Sequence, residues 1–180
     1  MSGRGLEKDG TIAREGALSR VPEAFVGDGS RRELFIRSGL GAADVVHAHR
    51  EALLVLRDSI ETAHVDAYSD EAWPEEVVPA YERALLMADG ALADGLRSAK
   101  NDPGMGIDVD VHDDAQFDVL LALAPYTIHA EAWRQGQQLF SANDTGTALW
   151  ISVTSQQETR LMSRLGALRV TGTAFADRPR

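Results

Sequence analysis

The sequence predicts an α+β domain: a long helical hairpin packed with a small, mostly antiparallel sheet (a meander over 126–154) and a C-terminal helix. Three observations predict it. Two glycine-bearing turns, Gln135-Gly136 and Asn143-Asp144-Thr145-Gly146, separate three short runs, as in consecutive hairpins. Apolar residues at alternating spacings of three and four run from Val46 to Ala67, the period of an amphipathic helix. Ser155-Gln156-Gln157-Glu158 has capping-box spacing and opens a helix with Leu161 and Leu165 on its stripe, stopped at Gly166.

Taken in order, residues 1–32 are rich in Gly, Arg, Glu and Ser and read as a flexible N-terminal tail. Residues 33–174 form a single α+β domain, and 175–180 a C-terminal tail. Leu34 to Leu40 is a short helix or an extended piece. A long helix is expected from about Ala42 to Ala67, with His49, Leu53, Leu56, Ile60 and Ala63 in its seam. Val45, Ala48, Ala52 and Val55 widen the first half of that seam, so the first half should be the more deeply buried. Pro74 and Pro79 suit helix starts, because a missing N–H costs little in a first turn. A second helix follows, with Val78, Tyr81, Leu85, Ala88 and Leu92 on one side and a kink or end at Gly90. The two helices together make the antiparallel hairpin. Lys100 to Gly106 is a turn, and Ile107 to Val111 alternates as a strand. Asp113 to Ala124 fits a buried strand or a helix. Capping-box spacing of Asp113 and Gln116, and poor turn chemistry at Ala124-Pro125-Tyr126, favour the helix.

The turns of the meander predict its register. A two-residue first loop sets Ala132 opposite Leu139 and Glu131 opposite Phe140; the second loop sets Phe140 opposite Trp150. One face then carries Ile128, Ala130, Ala132, Leu139, Leu149, Ile151 and Val153, which is plainly core. The other carries His129, Glu131, Trp133, Phe140, Ala142 and Trp150, aromatic with a polar edge and unlike a simple solvent face.

Composition excludes several classes. There is no cysteine, hence no disulfide and no thiolate metal site. A formal net charge of −10 speaks against nucleic acid as a partner, since the phosphate backbone would be repelled. No apolar run approaches the ~20 residues of a membrane helix, so no membrane partner is expected. The first residues lack a signal-peptide core, which makes the cytoplasm the expected location. Arg greatly outnumbers Lys, which occurs only at Lys8 and Lys100; with abundant Ala, Gly and Asp this reads as a GC-rich bacterial gene.

Several residues could carry chemistry. Asp108, Asp110 and His112 alternate with Ile107, Val109 and Val111, so they share one face of the expected strand. Such a set suits a divalent cation or an acid–base pair, and equally the solvated face of an edge strand. Glu61-Thr62-Ala63-His64 has the Glu-x-x-His spacing of di-iron bundles, but on the expected helix both groups lie off the seam, on an exposed face. His49 lies in the seam, as a buried ring with one hydrogen bond or as a switch that changes association between pH 5 and 7. Asp144-Thr145-Gly146-Thr147, extended by Leu149-Trp150-Ile151, resembles the active-site tetrapeptide of aspartic proteases. That resemblance implies two such aspartates sharing a proton. Only a capped helix and a short tail follow, and the segment reads as a hairpin turn. No phosphate loop or nucleophile elbow is present.

Two functions are compatible with these residues. The first is a non-catalytic protein acting by protein–protein association, with itself or another protein. It uses the aromatic sheet face of Trp133, Phe140 and Trp150, edged by His129 and Glu131, and needs no cofactor. The second is a small metal-assisted or acid–base hydrolase, built from Asp108, Asp110 and His112 with His129 and Glu131 around one cleft and a divalent metal. Convergence of those five side chains on one pocket favours the enzyme; dispersal favours the binding protein.

Overall fold

The structure is a computed structural model, which describes residues 30–100, 102–170 and 174–177. Its strands are β1 (Arg32–Ile36), β2 (Thr62–Val65), β3 (Ile107–Val109), β4 (His129–Arg134), β5 (Gln137–Asn143), β6 (Ala148–Val153) and β7 (Phe175–Asp177). Its α-helices are α1 (Ala42–Leu56), α2 (Val78–Ala93), α3 (Asp114–Leu123) and α4 (Ser155–Ala167). All seven strands join one antiparallel sheet in the order β3-β2-β4-β5-β6-β1-β7. The α+β class and the 126–154 meander hold.

The helical hairpin does not. The expected helix over 42–67 ends at Leu56, turns through a 3₁₀ segment at Arg57–Ser59, and continues as β2 inside the sheet. Arg57 explains the break. Its Nε donates to the Val111 carbonyl at 2.8 Å, its guanidinium pairs with Asp114 at 2.6 Å, and it lies 4.3 Å over the Phe117 ring. The chain is pinned to the start of α3 and cannot carry on along the axis of α1. α1 then packs on α3 and α4, while α2 packs on α3 and β3. The strand ends at Val109, two residues short of expectation.

The margins also differ from expectation. Residues 175–177 are a strand rather than a tail, and Arg32 begins β1 rather than ending a tail. Arg32 pairs with Glu158 and Asp177, which ties the two strands to α4. The rest of the expected N-terminal tail lies outside the described residues. Of the earlier alternatives at Asp113–Ala124, the helix is the one formed, with Asp113 accepting from the Ala115 and Gln116 amides. The capping box of α4 is Thr154 with Gln157, one residue earlier than the spacing predicts, and the helix runs past Gly166 to Ala167.

The core lies between one sheet face and the helices. Ala63, Ala130, Ala132 and Ala142 present small side chains from β2, β4 and β5, and α1 answers with Ala48 and Ala52. These alanines let helix and sheet approach closely, and Leu53, Phe117, Phe140 and Ile151 fill the remaining volume. His49 of α1 meets the Phe140 ring edge-on at 6.4 Å. Its Nδ1–H donates to the Val45 carbonyl at 2.8 Å, its Nε2 has no partner, and burial lowers its pKa to about 4. His49 therefore stays neutral across the interval between pH 5 and 7 in which a switch would act.

The described helices pack on one another and on the sheet face whose side chains are buried. On the other face Phe35, His64, His129, Glu131, Trp133 and Trp150 stay partly exposed, and the candidate site lies there. None of the described helices is long and apolar enough to cross a membrane.

Candidate functional site

The site grows from the pairing of β2 with β4. His64 lies directly opposite Glu131 in the ladder, and His129 precedes Glu131 by two residues. Alternation along a strand therefore puts all three side chains on the helix-free face. His64 Nε2 is 3.6 Å from Glu131 Oε2, and His129 Nε2 is 3.1 Å from Glu131 Oε1. One carboxylate thus faces two imidazoles, each through a different oxygen. Gln138 on β5 donates to Glu131 Oε1 at 2.6 Å and fixes the carboxylate further. The Trp133 ring rests against His64 with centroids 4.6 Å apart, and the two imidazoles lie 5.3 Å apart.

Asp66 stands behind His129. Its side chain is only 5% exposed, and its Oδ2 lies 3.9 Å from His129 Nδ1. The Gly106 amide donates to Asp66 Oδ1 at 2.6 Å, and the Asp66 amide donates to the His129 carbonyl at 2.9 Å. Burial lowers the pKa of His64 against the upward pull of Glu131, Asp66 and Asp108. Two imidazoles and one carboxylate within reach of one another are a donor set able to hold a divalent ion; among the described residues no other group of three does so.

The opposite end of the same face is aromatic. Trp150 on β6 pairs with Phe35 on β1 and with Ser141 on β5. Phe35, Ser141, Asn143, Thr147 and Trp150 line a shallow open cleft. Trp133 and Trp150 are each half-buried on this face.

Of the residues singled out from sequence, His129, Glu131, Trp133 and Trp150 stand together on the helix-free face. Phe140 does not: it is fully buried in the core, opposite Ala132 and Ile151. Gln135 and Gly136 form the expected two-residue turn, both at positive φ, as a type I′ hairpin requires. A bulge between Ala132 and Trp133 then shifts the register by one residue. That shift turns Phe140 and Ala142 inward.

Asp108, Asp110 and His112 do not come together as a metal set. Only Asp108 reaches the site face, opposite His64 on β3. Asp110 lies past the strand end, where its carboxylate accepts from the His112 amide at 2.9 Å and its amide donates to Gln116. Both aspartates border a separate cleft with Glu61, Met87 and Asp94, away from His129 and Glu131. The five side chains of the hydrolase reading therefore disperse.

The tetrapeptide at Asp144 is the β5–β6 turn. Asp144 and Thr145 have positive φ, and a Cβ on Gly146 (φ 82°) would stand 2.1 Å from the Pro125 carbonyl oxygen. Backbone geometry accounts for those residues. Glu61 accepts from the Gln135 amide at 2.7 Å and anchors a turn. His64 and Asp66 are site residues that the helical reading of 42–67 concealed. The signal for them is the alternation Thr62-Ala63-His64-Val65, with a polar residue at every second position, as at His129-Ala130-Glu131-Ala132.

Comparison with protein-family models, with curated proteins and with solved structures gives no match.

Proposed function

We propose that this chain works by protein association through its helix-free sheet face, with a second copy of itself as the partner. The observation that carries the reading is the one-sided covering of a seven-stranded sheet. Half-buried rings at Phe35, Trp133 and Trp150 stand on the side that no described helix covers. Two sheets presenting such faces pack as an aligned sandwich with interdigitating side chains.

Size sets the expected strength. Seven strands about 4.8 Å apart and roughly five residues long give a planar footprint on the order of 500 Å². Standard interfaces bury about 800 Å² per partner, so this face lies at the low end of interface size. The net charge of −10 on each copy opposes pairing, and salt screens that repulsion.

Light scattering on a size-exclusion column tests the reading. A dimer that forms at tens of micromolar and tightens between about 0.05 and 0.5 M salt supports it. A strict monomer over that whole range refutes it.

A further inference from the structure

We propose that His64, His129 and Glu131 form a binding site for a divalent transition metal ion of the zinc class, within a single copy of the chain. A tetrahedral ion with bonds near 2.0 Å holds its ligand atoms about 3.3 Å apart. The two imidazole nitrogens stand 3.6 and 3.1 Å from different oxygens of Glu131, close to that edge length, and one ligand atom from each of the three residues lies within 4.8 Å of the others. An ion would draw these atoms together and take the place of the two ring contacts to Glu131.

Imidazole ligands of metal ions present their other ring nitrogen to a carboxylate or carbonyl, which fixes the tautomer. Here Asp66, itself buried and anchored by the Gly106 amide, faces Nδ1 of His129. Bound through Nε2, the His129 ring would turn its Nδ1–H towards Asp66. Trp133 packs on the His64 ring and Gln138 holds the carboxylate, so two of the three donors are oriented before any ion arrives. Each donor remains partly exposed, with side-chain exposures of 26, 36 and 20% for His64, His129 and Glu131, which leaves an entry path and an open fourth position for water.

Chemistry selects the ion. Nitrogen donors favour zinc, nickel or copper over magnesium or calcium, which prefer oxygen throughout. The site lies within one chain, so it does not depend on the association proposed above. The monomeric variant Trp150→Glu should bind the ion as tightly as the natural chain.

Calorimetric titration of the full chain, freed of any histidine tag, with zinc chloride at about pH 7.5 tests the assignment. The expected result is one ion per chain. His64→Ala and His129→Ala should each weaken binding at least ~10-fold, and Asp66→Asn by ~10-fold or more, as outer-shell partners do. His112→Ala should change nothing. A readout on the unaltered chain guards against variants that fail to fold. In nitrogen-15 spectra of the imidazoles, zinc should shift Nε2 of His64 and His129 and leave His47, His49 and His112 in place. No binding heat up to about 100 µM zinc, or zinc-induced shifts confined to the other three histidines, would overturn the proposal.

Discussion

The two faces of the sheet are built from alternate residues of the same strands, yet they are constructed on opposite principles. On the helix-covered face, β4 and β5 offer Ala130, Ala132, Phe140 and Ala142, all fully buried. That face is apolar and without free donor atoms. On the other face the same two strands offer His129, Glu131, Trp133, Gln138 and Ser141, all partly exposed, with Glu131 bound by Gln138 and facing His129, and Trp133 packed on His64 of β2. The covered face supplies stability through close packing. The open face is free to carry charge and lone pairs because no helix has to be seated on it. A polar cluster that faced the helices would carry the cost of burying each unpaired group, as Nε2 of His49 already does.

The contrast can be broken from either side. The largest effect should come from Phe140→Ala. It empties a fully buried ring volume beneath α1 and should cost about 3–5 kcal/mol in a denaturant titration, with the remaining fold still binding zinc. A loss below about 1 kcal/mol would mean that Phe140 is not core at all.

The next effect comes from acid. His49 has a folded pKa of about 4 against an ordinary 6.5, because burial disfavours the charged ring. The unfolded chain therefore takes up the proton first. Stability is full above pH 6.5 and falls as the pH drops from 6.5 towards 4, by about 3 kcal/mol in all. Denaturation midpoints across that interval should show this slope, and His49→Leu should flatten it.

The smallest effect should be Asp108→Asn on the open face, within about 0.5 kcal/mol of the natural chain in stability. That substitution sharpens the comparison, since a change on the open face should leave folding alone.

Much of this architecture was legible in the chain, and the misses have physical causes. The meander was legible because Gln135-Gly136 and the glycine at 146 impose positive φ where the strands must reverse. The bulge beside Trp133 has no such marker, and its single extra residue was enough to move Phe140 from one face to the other. β2 is hidden because Ile60, Ala63 and Ala67 satisfy a helical period, while Ala63 and Ala67 satisfy a strand's as well. The polar break at Arg57-Asp58-Ser59, where Arg57 leaves the helix for α3, was the missed sign. With β2 read as helix, His64 and Asp66 could not be seen beside His129 and Glu131. Half of the site was thus readable, as an alternating histidine and glutamate on one strand. The other half depends on a pairing between residues more than sixty positions apart, which local pattern does not encode. The strand at 32–36 is legible only as one of two alternatives, a short helix or an extended piece over 34–40, and the strand at 175–177 not at all, since each is short and completed only by its neighbours.

The most direct test of the association account is light scattering on Trp150→Glu, run beside the natural chain with melting temperature measured for both. Trp150 stands on the open face, between Ser141 and Phe35. A charge placed there should abolish the dimer while leaving the melting temperature of the monomer nearly unchanged. A variant that still dimerises with the affinity of the natural chain would show that the open face is not the contact surface.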